Sequence, residues 1–138
     1  NIGATDYDDA TAMGLLAGYN TVTVSGVYNT MDLYTGECIG TPTIAEYPQA
    51  AVPAATEVFP IANVKYMSMV YALVDAAKSN HDVTFKTNDP DFSLVTFNNV
   101  PLQRNHRTNI FGKILTAPAD FNVIIKPMFD DPDYDDRI

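Results

Sequence analysis

V-P-L-Q-R-N-H-R-T-N-I-F-G-K-I-L, Val100 to Leu115, decides the fold. Pro101 cannot donate to a strand ladder and is read as the boundary of one strand. Thr108 to Leu115 alternates again and predicts the next. Between the two, Arg104, His106 and Arg107 fall within four residues of an otherwise acidic chain. Two readings of that cluster stay open. Guanidinium groups can hold a ligand phosphate or carboxylate through bidentate, charge-assisted hydrogen bonds. Alternatively, the two arginines pair with nearby aspartates and tie the crossing down, the default because clustered charges often form structural networks.

Working outward, the segments on either side follow the same period of two. Asp82 to Thr87 and Phe92 to Val100 predict a hairpin across N-D-P-D, a strong turn sequence. In it Val83 and Phe85 face Leu94 or Phe97, and that pattern sets the register. Downstream, T-A-P-A-D reads as a turn and Phe121 to Lys126 as the last strand. Upstream, Val64 to Val74 is apolar on both faces, with only Lys65 and Ser68 interrupting. Such a strand is expected at the centre of a sheet, or covered by a partner chain. Val22, Val24 and Gly26 face one way on a strand from Thr21, and Tyr28 to Tyr34 predicts another that runs into a turn at Thr35 and Gly36.

Two regions break the pattern. T-D-Y-D-D-A-T-A-M-G-L-L-A-G, 5 to 18, predicts a helix of two turns with an acidic start and Gly18 as its stop. Residues 40 to 60 hold four of the nine prolines and read as a long irregular connection with a short strand near Thr56 to Phe59. Strands at even spacing with hairpin turns, one short helix and one long crossing predict an all-β fold, an antiparallel two-sheet β-sandwich of about seven strands. One domain is expected over 1–129, followed by a solvated acidic tail over 130–138.

Composition narrows the function. At 138 residues, 46% hydrophobic and 18% charged, the chain has material for one core and is too apolar for disorder. The net charge of -9 repels nucleic acid, and no basic face of the kind such binding requires is evident. No apolar run reaches membrane-spanning length, so no direct membrane span is expected. Cys38 is the single cysteine and reads as a buried, inert thiol rather than a nucleophile. Asp6, Asp8 and Asp9, and again the aspartates from Asp130 to Asp136, could contribute to a calcium site. Neither set has the alternating oxygen ligands and glycine turn of a calcium loop, and no metal or other cofactor is expected. His81 reads as a solvated loop residue with no partner at metal-ligand spacing. No catalytic motif occurs, and no enzymatic activity is expected; Cys38 with His106 is a conceivable nucleophile pair without any sign of activation.

Q-R-N-H-R-T-N-I-F-G-K-I-L-T at 103 to 116, followed by D-F-N-V-I-I-K-P-M-F-D, resembles the C-terminal end of fimbrillin-like surface proteins of Bacteroidales, relatives of the type V pilins. T-D-Y-D-D-A-T-A-M-G, V-Y-N-T-M-D-L-Y-T-G-E and Y-M-S-M-V-Y-A-L-V resemble the same group in the same order, and together the stretches cover most of the chain. The resemblance implies a transthyretin-like Greek-key sandwich, the C-terminal one of two domains. It also implies a lipoprotein precursor exported to the outer membrane and trimmed by an arginine-specific protease. The partners implied are other fimbrial subunits, joined by strand addition, with a host or bacterial surface ligand as a further candidate. On this resemblance Asn1 to Thr5 is the end of a strand whose beginning lies upstream. The short acidic tail departs from an apolar donor strand, which points toward an accessory or tip subunit or a non-polymerising relative. The alternative function is a carbohydrate-binding sandwich on the cell surface, for which three exposed aromatics in a row on one sheet face would be the mark.

Overall fold

The computed structural model describes residues 1–8, 19–51, 58–87, 89, 92, 94–116 and 121–126. Among these residues, ten strands run in chain order: β1 Ile2–Ala4, β2 Tyr19–Val27, β3 Thr30–Met31, β4 Cys38–Ile39, β5 Thr43–Ala51, β6 Lys65–Ser68, β7 Ser79–Thr87, β8 Val95–Leu102, β9 Arg107–Gly112 and β10 Phe121–Lys126. They form one sheet in the order β10-β9-β1-β6, a second in the order β5-β2-β7-β8, and a small β3-β4 ribbon. Ile2, Ala4, Met67 and Ile110 of the first sheet join Val22, Val24, Phe85 and Phe97 of the second in a single buried cluster. This is the arrangement of a β-sandwich, all-β among the described residues. Phe97 on β8 meets Phe121 on β10 edge to face, ring centroids 4.8 Å apart, across the two sheets. The helix expected over 5 to 18 lies largely outside the described residues, as do the tail over 130–138, its aspartates and most of the T-A-P-A-D turn.

The second sheet is antiparallel throughout and follows the sequence pattern. Val83, Phe85, Val95 and Phe97 point inward from the β7–β8 hairpin, with Val83 opposite Phe97 and Phe85 opposite Val95. Leu94 is left outside. On β2, Val22 and Val24 are buried, and the strand then bulges so that Val27 rather than Gly26 returns to the core. Gly26 takes φ 69° there, and a Cβ on it would come within 3.0 Å of the His81 ring.

Three expectations are corrected. The connection over 40 to 60 contains a nine-residue strand, β5, paired along β2. Its register slips between Tyr47 and Ala50, at Pro48, on an edge strand where a missing donor and a bulge are both tolerated. Val58 and Phe59 lie in a loop instead of a strand. Second, Tyr28 to Tyr34 is only the two-residue β3 before the chain turns at Asp32. The Asp32 carboxylate accepts from the backbone N–H of Tyr34 at 2.8 Å and of Thr35 at 3.2 Å, offering the backbone a turn in place of a ladder. Third, Val64 to Val74 is not a central strand. Only Lys65–Ser68 pairs, at the edge of the first sheet, and Met69 to Val74 continues past it as a strap. Met67 and Val74 are buried while Met69 and Tyr71 are 52% and 70% exposed, so the strap beyond the paired residues turns part of its apolar surface to solvent.

The first sheet also departs from a purely antiparallel plan. β1 runs parallel to β9, with Ile2 beside Ile110, and antiparallel to β6. Three residues thus occupy the middle of the sheet, all buried. Gly3 makes this possible, because a Cβ there would collide with Val64 and Phe59. Pro101 sits inside β8 instead of bounding it, which an edge strand permits.

Candidate functional site

The basic cluster lies where the chain crosses from the second sheet to the first. β8 ends at Leu102, the turn closes with the His106 N–H donating to the Gln103 carbonyl at 3.1 Å, and β9 starts at Arg107. Asn105 supplies the left-handed residue of that turn, φ 60°, which asparagine accepts more readily than most side chains.

Arg104 carries out the tying role, with partners other than those expected. Its backbone N–H donates to the Asp75 carbonyl at 3.1 Å and its Nε to the Val74 carbonyl at 3.2 Å. Its Nη2 lies 3.5 Å from the Cys38 sulfur and 3.9 Å from the Glu37 carboxylate. One guanidinium therefore joins the strap, the β3–β4 ribbon and the β8–β9 turn. The Glu37 contact adds little, since that side chain is mostly in water. The Nε bond to the Val74 carbonyl carries more, because a charged donor meets a carbonyl at a partly buried site. Cys38 is half-buried, and its thiol donates to the Val74 carbonyl at 3.3 Å. Gln103 Nε2 adds a bond to the Ala76 carbonyl at 3.1 Å.

His106 presents Nδ1 to the Arg104 carbonyl at 2.8 Å, which turns Nε2 away from the turn backbone. Arg107 is half-buried at the start of β9, where its backbone neighbour across the ladder is Lys126, a lysine 2% exposed. The three residues follow one another along the turn and into the start of β9. Cys38 adjoins Arg104, not His106.

The turn and the strap enclose a feature that the sequence does not announce. An open cleft of about 620 Å³ lies beside them, with Ile2, Val22, Val24, Val83, Val100 and Ile110, each 5% exposed or less, at its base. Met69 to Leu73 and Arg104 to His106, partly or largely exposed, line it further out, together with the buried Val74 and with Arg107, whose Nε and Nη2 are buried. Interiors are packed with few voids larger than a water molecule, so an opening of this size is a structural element in its own right. In the sequence, Val22, Val24 and Val83 read only as inward-facing strand residues.

Elsewhere, His81 is a corrected expectation. It is 7% exposed, with Nδ1 2.7 Å from the Ser25 carbonyl and Nε2 2.7 Å from Ser79 Oγ, and it pins the bulge of β2. Asp6, considered for calcium, instead accepts from the Thr116 backbone N–H at 2.7 Å and hydroxyl at 2.6 Å. Among the described residues there is no cluster of three or more potential metal ligands from His, Cys, Asp and Glu, and no helix long and apolar enough to cross a membrane. The strongly exposed aromatics among them, Tyr34 and Tyr71, sit on a turn and on the strap, not in a row on one sheet face. Burial raises the Tyr47 hydroxyl above its ordinary pKa; burial and a 3.2 Å bond to Asp75 do the same for Tyr28.

The chain belongs to a family of unknown function, DUF6562, whose family model matches residues 1–138. No curated protein and no solved structure matches it significantly.

Proposed function

We propose that this DUF6562 member is a structural or adhesive subunit of a bacterial cell-surface fimbria, of accessory or tip type, that assembles by β-strand addition. The observation that carries the reading is β1. Three residues fill the centre of a sheet, flanked on one side by a parallel neighbour and on the other by an antiparallel one. A segment that short contributes few ladder bonds. The slot between β6 and β9 nevertheless accepts its backbone and buries its side chains, as strand addition requires. β6 adds a second opportunity, because among the described residues it is a four-residue edge strand followed by apolar, partly exposed chain.

The fimbrillin-like resemblance supports the same reading and supplies its finer form: a transthyretin-like Greek-key sandwich, exported as a lipoprotein to the outer membrane and displayed at the cell surface. No catalytic role is assigned. Among the described residues, a glycan-binding role lacks the aromatic row that would favour it.

The test is immunogold electron microscopy on producing cells, with an antibody raised to this domain. Label along or at the tip of thin filaments is the expected result, and its position separates shaft from tip. Label scattered over the envelope without filaments rejects the fimbrial reading.

A further inference from the structure

Away from the cleft, β7 holds a serine and a histidine in direct contact. Ser79 Oγ lies 2.7 Å from His81 Nε2, and His81 Nδ1 lies 2.7 Å from the Ser25 carbonyl. Ser79 and His81 alternate along the strand, so their side chains leave the same face. A carbonyl oxygen can only accept, so Nδ1 carries the proton, and the neutral ring turns the lone pair of Nε2 toward Ser79. The Ser79 hydroxyl is then the donor in its bond to the ring. It makes no other hydrogen bond among the described residues, and Ser79 is half-buried while the ring beside it is 7% exposed. The ring itself is held from behind. The Ser25 carbonyl reaches it from the bulge of β2, where Gly26 at φ 69° leaves room that a Cβ, 3.0 Å from Nδ1, would take. Ser25 is fixed in turn, because its Oγ accepts from the Asp82 backbone N–H at 2.9 Å.

We propose that Ser79 is an activated nucleophile with His81 as its general base, and that the pair takes the acyl group of a small, activated carboxylic ester. A nucleophile within hydrogen-bond reach of a base that a third group orients is the arrangement this chemistry uses. Here a main-chain carbonyl stands where a carboxylate often does, and it fixes the same tautomer and ring orientation. In the first step Ser79 Oγ bonds to the ester carbonyl carbon while its proton passes to His81 Nε2. Collapse of the tetrahedral adduct breaks the bond to the alcohol oxygen, which leaves with that proton. Water then attacks the acyl-Ser79 ester and gives a proton to Nε2. The acid departs as Ser79 Oγ takes that proton back. The geometry also narrows the substrate. Ser79 and Leu102, its neighbour across the ladder, are both half-buried, which limits the acyl group to a short one. A neutral carbonyl stabilises the imidazolium less than a carboxylate does, so the leaving group must be one that departs easily.

This goes beyond the fimbrial reading, which calls for no catalysis, and does not depend on it. Filament imaging on cells reports that reading and acylation of the purified chain reports this one, so either can fail alone. The probes are p-nitrophenyl acetate and diisopropyl fluorophosphate, whose phosphoryl adduct on serine does not turn over. Each is added to the chain in buffer and, separately, in concentrated urea, and the modified residues are mapped by peptide mass spectrometry. The expected result is a phosphoryl adduct at Ser79 of the folded chain, blocking its release of p-nitrophenolate, with no such adduct in urea. Ser79→Ala abolishes both reactions, and His81→Gln slows them about a hundredfold or more. The comparison of folded and unfolded chain stands even where His81→Gln fails to fold. Labels confined to lysines and tyrosines, or a Ser79 that reacts no faster folded than unfolded, overturn the proposal.

Discussion

The two sheets of this sandwich are built to different standards. The second, β5-β2-β7-β8, is made of strands of eight and nine residues paired over most of their length. The first, β10-β9-β1-β6, has strands of three and four residues at β1 and β6. One sheet holds itself together by its own ladder, whereas the other depends on a small plug, a close contact at Gly3 and a strap clamped by Arg104. The slot and the strap lie on the weaker side, where local opening costs least.

The sharpest way to break this contrast is to damage the strong sheet. Phe97 is fully buried on β8 and spans the gap to Phe121. Phe97→Ala is expected to lose about 3–5 kcal/mol, read as a lowered urea midpoint with an unchanged slope. Gly3→Val strikes the weak sheet, where a side chain would collide with Val64 and Phe59. A loss of about 1–3 kcal/mol is expected. Hydrogen exchange should rise at β1, β6 and β9 while β2 and β7 keep their protection; equal loss in both sheets would show that they do not differ. Arg104→Ala removes the guanidinium bond to the strap, leaving the backbone one, and is expected to cost about 1–2 kcal/mol. Its signature is faster exchange at Met69 to Asp75, and protection unchanged there would mean that the strap is held by packing alone.

The smallest effect is set by pH. The hydroxyl of Tyr47 has a raised pKa in the folded chain, so the unfolded chain ionises first, near the ordinary value of 10.0. Its contribution is complete below about pH 10 and is lost as the pH rises through the folded-state value. Tyr47→Phe should flatten that alkaline decline; a variant as sensitive as the parent would assign the decline to other groups.

What the sequence made legible follows the same division. The β7–β8 hairpin, the inward valines of β2 and the β10 strand were readable because a single buried face imposes a period of two. β5 was hidden by Pro48, since proline density signals a loop and says nothing about whether the chain lies on a sheet edge. The run from Val64 to Val74 misled in the opposite sense. Apolar on both faces, it was expected at a sheet centre, yet Met69 and Tyr71 point outward, and no local pattern separates a covered apolar face from an uncovered one. Arg104, His106 and Arg107 were visible as a cluster. Their division of labour was not, because Arg104 finds its acceptors in backbone carbonyls about thirty residues away, and any segment could have supplied those. The cleft depends on the spacing of two sheets and leaves no trace in either strand.

The position of β1 bears on the order in which the molecule assembles. Asn1 meets Asn109 across 108 residues of chain, and Ile2 lies beside Ile110. During synthesis β1 must therefore wait for β9 before it has a parallel neighbour, while β7 and β8 can zip as soon as both exist. Long loops close slowly, and folding rates fall as native contacts become more distant in sequence. A chain made in this order passes through a period in which the second sheet stands and the slot between β6 and β9 is still empty. Quality-control proteases and holdase chaperones would meet the molecule in that interval.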